Sequence, residues 1–365
     1  MPLPLLIGAA ALAAASYGAK KGYDGYQKHS EANEIVKDAK NRYEIGKSSF
    51  DDQESATQAS LTKLGEMELD IGKSFNEFKT LADSLLKQLN EGSSDKLELR
   101  IPRHELQKIE NYSYTAIGVL GSVAGAGAAG AAAGFAVYGG VMTLGAASTG
   151  TAISSLAGAA ATKATLAAIG GGSLASGGLG IAGGTAILSA AIAGPILAIA
   201  GWAYDSHGKE SLKNAQKINE DVDEALRKLD RAQKLLADVE DYGDKIRSVL
   251  SSIYRQFNRY YFSLQDIEKF INDIKGRNVD VEAEISKFGD SILKAVENGY
   301  ALAAILTNMI LTPIFKPDTV SGIVSLDENG APKMQHDSDG LMILNRQALE
   351  QALKNAVTDA DNYKI

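Results

Sequence analysis

Two long stretches of this chain place an apolar residue every third or fourth position with Lys, Arg, Asp and Glu between, and the stretch separating them carries almost no charge. In the first, Leu61, Leu64, Ile71, Phe75, Phe78, Leu85 and Leu89 recur at spacings of three, four and seven. That period puts one apolar stripe on a helix and predicts helix from about Ser30 to Asn90. The pattern is less regular over Ile35–Phe50, where a break is expected near Gly46 or the Asp51-Asp52 pair; Glu91-Gly-Ser-Ser94 and Ile101-Pro102 are stop signals. In the second, Ile218, Val222, Leu229, Leu236, Ile246, Ile253, Phe257, Tyr260, Leu264, Ile267 and Ile271 belong to an alternation kept from Ala215 to Ile274. A pattern sustained this far reads as a coiled coil or long bundle helix, about 90 Å if unbroken, with Gly243 as an expected kink.

Between them, Asn111–Tyr204 holds a single side chain of the Asp, Glu, Lys, Arg and His set, Lys163, among mostly Ala, Gly, Ser, Thr, Ile, Leu and Val. About 20 uncharged apolar residues suffice for one helical crossing of about 30 Å of hydrocarbon, and this run is several times longer. Gly121, Gly125, Gly130 and Gly134 recur at small-xxx-small spacings that allow close helix approach in lipid. Ile187, Leu188, Ile192, Ile196, Leu197 and Ile199 make the densest apolar part, despite Pro195. These ten residues are the candidate membrane-inserting set. Lys163 is the candidate tip of a helical hairpin, and Tyr112, Tyr114, Trp202 and Tyr204 stand where an interfacial aromatic belt would lie.

The remaining segments complete a five-part division. Residues 1–26 read as an apolar N-terminal helix that lies at an interface, 27–110 as a first stalk helix region and 111–204 as the Gly/Ala-rich insert. Residues 205–316 read as a long helical stalk or bundle, in which uncharged Gly299–Phe315 fits a buried bundle helix better than a span. In 317–365 the β-like runs Ile323-Val324 and Leu341-Met-Ile343 flank Asn329-Gly330, a hairpin turn dipeptide. Asn345–Asn355 follows as a final helix, with a loose polar tail from Thr358. The expected fold class is mainly α: an elongated bundle of long coiled-coil-like helices with a Gly/Ala-rich apolar helical hairpin and a small C-terminal β-hairpin.

Composition narrows the function classes. A net charge of −8 argues against a nucleic-acid binder that relies on phosphate contacts. The absence of Cys removes disulfides, thiolate zinc sites and Cys nucleophiles. His29, His104, His207 and His336 lie far apart without metal-ligand spacing. Gly125-Ala-Gly-Ala-Ala-Gly130 matches a dinucleotide fingerprint, but no acidic residue follows before Asp205 to take a ribose, and no phosphate-loop motif is present. No catalytic site, cofactor site or metal site is therefore expected.

The order of elements resembles that of the cytolysin A-type α-helical pore-forming toxins and their multi-component relatives. On that layout Leu61–Leu89 and Ala215–Ile274 stand as stalk helices, Ile117–Trp202 as the membrane segment and Leu3–Tyr17 as an N-terminal membrane helix. The resemblance implies a bundle that stores its apolar segment until membrane contact. Separately, Met1-Pro-Leu-Pro-Leu and Ala161-Thr-Lys-Ala-Thr-Leu-Ala-Ala-Ile-Gly-Gly-Gly172 look like an uncharacterised bacterial Gly-zipper family, which implies no activity.

Three readings follow from the residues. The chain is a membrane-active protein, stored soluble in the cytoplasm or secreted, that inserts residues 111–204 into a bilayer as an oligomer, in the manner of a toxin or defence effector. Its partners are then a lipid bilayer and either copies of itself or a second related subunit. Alternatively it is a constitutive integral membrane scaffold with helical cytoplasmic arms. In the third reading the insert is buried for good in a soluble bundle, which the mean hydropathy of −0.09 permits.

Overall fold

Helix formation here rests on stripes of apolar side chains flanked by ion pairs one turn apart. A computed structural model describes residues 23–91, 100–122, 132–137, 210–275, 277, 280–320, 323–325, 333–338 and 341–363. The fold is mainly α. Its helices are α1 (Tyr23–Glu91), α2 (Arg103–Ser122), α3 (Glu210–Ile274), α4 (Val281–Ser286), α5 (Gly289–Ile310) and α6 (Arg346–Ala360). A short helical segment covers 132–137. Lys79–Asp83 at 2.8 Å and Lys228–Glu224 at 2.8 Å are examples of the i,i+4 pairs along the exposed faces. Each such pair adds a few tenths of a kcal/mol at most, so tertiary packing decides the length of these helices.

The chain divides into two units, residues 1–57, 185–238 and 336–342 in one and 58–184, 239–335 and 343–365 in the other. In the first, α1 and α3 run parallel. Arg42 donates to Asp223 and to Asn219, both at 2.5 Å, Gln233 donates to Ser49 at 2.9 Å, and the Thr57 hydroxyl reaches the Leu236 carbonyl at 3.0 Å. The break expected near Gly46 does not occur. Gly46 stays helical with Leu226 packed directly over it, while Asp51 keeps its place by pairing with Lys47. Gly costs a helix interior about 1 kcal/mol, which that packing offsets. In the same unit a tight turn joins His336 and Met342, with Arg231 on Asp337 at 2.7 Å.

The second unit is a helix bundle. Ser60 donates to Asp244 at 3.0 Å and Ser74 pairs with Tyr254 at 2.5 Å, so α1 and α3 are parallel here also. Gly243 produces no break in α3; it lies 3.2 Å from the Ser60 hydroxyl, where a larger residue would press on α1. Helix α5 runs antiparallel to both, with Phe78 against Tyr300 and Asn298 donating to Tyr260 at 3.1 Å. It is the buried bundle helix expected around Gly299–Phe315, although it starts ten residues earlier, after Phe288. Helix α6 returns alongside α3: Tyr242 donates to Glu350 at 2.8 Å and Tyr260 to the Tyr363 carbonyl at 3.1 Å. The tail expected to be loose from Thr358 is instead helical to Ala360, with a 3-10 turn over Asp361–Tyr363, because Ala356 and Ala360 are buried and Tyr260 holds the end.

Between α5 and α6 the backbone closes two rings of three hydrogen bonds. Lys316 N–H donates to Ile343, Ile343 to Gln335 and Gln335 to Lys316 (2.8–3.0 Å); Asp318, Lys333 and Ser325 repeat the cycle (2.7–2.8 Å). The four short segments around Lys316–Asp318, Ser325, Lys333–Gln335 and Ile343 satisfy one another's backbone in this way, which leaves little free edge for another chain. The named hairpin pairs β1 (Thr319–Val320) with β2 (Ile323–Val324), so Ile323-Val324 is a strand but its partner is not Leu341–Ile343. Asn329-Gly330, the expected turn, lies outside the described residues.

Phe257, fully buried, anchors the bundle: its ring centroid lies 5.3 Å from Phe75 and 5.1 Å from Phe78, and Phe78 sits 5.1 Å from Tyr300. The aromatic run Tyr254–Phe262 is thus largely core packing rather than a ligand site, with Phe262 exposed. Phe257→Ala is expected to destabilise the protein by about 3–5 kcal/mol, read as a lower urea midpoint by circular dichroism.

Candidate functional site

The uncharged stretch begins inside α2. Its first residues, Arg103–Glu110, bear charges, and from Asn111 onward the same helix has none. The compositional boundary at 110/111 therefore carries no structural break. Lys79 marks it from α1, binding Asp83 and, at 3.4 Å, Glu110, the last charged residue before the stretch. Beyond that pair α2 lies antiparallel on α1 through small residues and backbone contacts.

Two glycines one heptad apart make this possible. A Cβ on Gly72 would overlap the Cβ of Ala116 and stand 3.3 Å from the Tyr112 ring. A Cβ on Gly65 would overlap the carbonyl of Ala132, in the 132–137 segment. Real Cβ atoms do not approach so closely, so only glycine admits the second layer at this distance. Where side chains are absent, polar groups reach backbone: the Ser113 hydroxyl donates to the Gly72 carbonyl at 2.7 Å, and the Tyr112 hydroxyl donates to the Glu68 carbonyl. Tyr112 is fully buried between Phe75 and Phe135, each about 6.1 Å away ring to ring. Ala116, Ala132, Ala133 and Phe135 are all buried to 1% exposure or less.

Glu68, midway between Gly65 and Gly72, has its side chain in the same layer at 3% exposure. Burial raises its pKa well above the ordinary carboxylate range, because a carboxylate there would lose its hydration. Beside the seat, α1, α2 and α5 leave a cavity of about 180 Å³ lined by Phe75, Lys79, Glu110, Ser113, Tyr114 and Tyr300, among others. Burial likewise raises the Tyr300 phenol, so it stays neutral.

The predicted site residues divide accordingly. Tyr112 is a buried contact of the seat, and Tyr114, two positions on, is 56% exposed. Gly121 faces open space at the end of α2, whereas Gly134 is buried between Ala132 and Phe135. Gly125, Gly130, Lys163, Ile187, Leu188, Ile192, Ile196, Leu197, Ile199, Trp202 and Tyr204 lie outside the described residues. Gly65, Glu68 and Gly72 were not singled out from the sequence. The available signal was a Gly-x-x-Glu-x-x-x-Gly spacing on the apolar stripe of Leu61, Leu64, Ile71 and Phe75.

Among the described residues, no group of three or more His, Asp or Glu is placed to hold a metal, and no helix is long and apolar enough to cross a membrane. No protein-family model, curated protein or solved structure matches this chain.

Gly72→Leu is expected to loosen α2, since the added side chain meets Ala116 and Tyr112; overpacking of this kind costs about 1–3 kcal/mol. Hydrogen exchange is the check: α2 amides should lose on the order of tenfold to a hundredfold protection while α3 and α5 keep theirs.

Proposed function

We propose that this protein is a membrane-active helical protein that holds residues 111–204 against its bundle in water and inserts them into a bilayer as an oligomer, acting as a pore-forming or membrane-perturbing toxin or defence effector. The observation that carries this reading is the way the uncharged stretch starts. Its first turns are seated on α1 by glycine-alanine contact and two hydrogen bonds to backbone, with no ion pair beyond Glu110. Such an interface covers apolar surface while the segment is docked and leaves few polar groups unsatisfied when it departs. The same Gly and Ala residues that admit α1 at close range suit helix packing in lipid, where small residues set the approach. A bilayer and further copies of the chain, or a related subunit, are the partners this reading requires.

One observation favours a different reading. Ala132, Ala133 and Phe135 are as buried as any core residue, which fits a segment kept inside the bundle permanently. Leakage of dye-loaded vesicles separates the two. The membrane reading predicts that the purified protein releases dye and that Ile192→Asp abolishes release with the helical content intact. A central charge costs about 2.5–3.5 kcal/mol per inserting chain. Vesicles that stay intact with the unaltered protein across lipid compositions and pH would reject it.

A further inference from the structure

Among the described residues of the second unit, Glu68 is the one buried carboxyl, and it stands where the uncharged segment meets α1. From α2 the titratable group facing it is Tyr112, whose hydroxyl is already given to the Glu68 carbonyl. The 132–137 segment (Ala-Ala-Gly-Phe-Ala-Val) has no ionisable side chain. On α3 the Ser60–Asp244 and Ser74–Tyr254 contacts bracket the level of Glu68, and between them the charged residues are Asp244, Lys245 and Arg247. Arg247 binds Asp244 at 3.1 Å and Lys245 binds Asp241 at 2.5 Å. Helix α5 is uncharged from Asn298 to Ile310. Arg247 and Lys245 are thus engaged with acids of their own helix, and burial raises the Glu68 pKa.

We infer that Glu68 is a pH-operated catch on the seat of the uncharged segment: its neutral carboxyl lets α2 and residues 132–137 lie on α1, and its ionisation drives them off. This regulatory role rests on the membrane-insertion reading for its purpose, but the catch itself operates in water. The direction follows from linkage. The seated form holds the proton and the open form, with Glu68 in water, releases it near the ordinary value of about 4.5. Seating is therefore strongest below that value and weakens about tenfold per pH unit above it, until the pH passes the pKa of the seated form. Alkalinity opens the seat; acid closes it.

The test uses the absence of native cysteine. Val119, buried at 2% exposure one turn beyond Ala116, is changed to Cys in the full chain with Glu68 and with Glu68→Gln. Labelling by a small thiol reagent is followed from about pH 6 to pH 9. Dividing the two rates cancels the ionisation of the thiol itself. The catch predicts that the Glu68 protein labels increasingly faster than E68Q as pH rises, by about tenfold per unit until a plateau. A ratio that stays flat, or no labelling of either protein at any pH, overturns it. Should E68Q fail to fold, infrared spectra of the unaltered chain decide: a protonated carboxyl band at pH 7 that fades as labelling begins supports the catch, and its absence at pH 7 refutes it. No lipid is present, so the result stands apart from the outcome with vesicles.

Discussion

Apolar surface in water must be covered, and a stretch built of Gly, Ala and Ser offers few large side chains with which to cover itself. Its neighbour has to come close. Gly65 and Gly72 give α1 a shallow face on which α2 and residues 132–137 rest at backbone distance, and the surrounding bundle positions that face. Phe75 connects the seat to the interior: one edge meets Tyr112, the other meets Phe257 of α3, from which the aromatic packing continues through Phe78 to Tyr300 of α5. The site is thus made by residues that also form the core, which explains why no separate cleft with converging polar groups is needed for it.

The seat differs from the rest of the bundle in what holds it. Along α1 and α3 the contact is between large interlocking side chains, among them Phe75, Phe78 and Phe257. At the seat, glycine, alanine and backbone contacts stand beside Tyr112, packed between Phe75 and Phe135, and dispersion falls steeply with distance, so separation forfeits those contacts together with two hydrogen bonds. An interface of that kind favours two arrangements, docked and free, over intermediate ones. A buried acid in its middle lowers its stability wherever the acid ionises.

Much of the architecture was legible in the sequence. The stripes of Leu61–Leu89 and Ala215–Ile274 became the facing sides of α1 and α3, since periodicity reports burial and burial formed the bundle. Local signals failed where tertiary contacts overrode them: Gly46 under Leu226, the C-terminal turns pinned by Tyr260. Helix α2 was obscured because it is charged in its first turns and uncharged in its last, so composition suggested a boundary where the backbone has none. The seat itself was hidden for a related reason. Glycine on an apolar stripe reads as a gap and Glu68 as a lapse in the pattern, until the partner helix shows that the gap is the binding surface.

Trp202 is the sole tryptophan of the chain and lies in the uncharged segment, so its emission reports on that segment alone. The most direct measurement is therefore quenching of Trp202 by lipids brominated at different acyl depths, before and after vesicles are added. The account predicts no quenching in water and depth-dependent quenching once the segment has left α1 for the bilayer. Emission that is unchanged by vesicles under every condition that opens the seat would contradict it, and would make α2 and its continuation a permanent layer of the bundle.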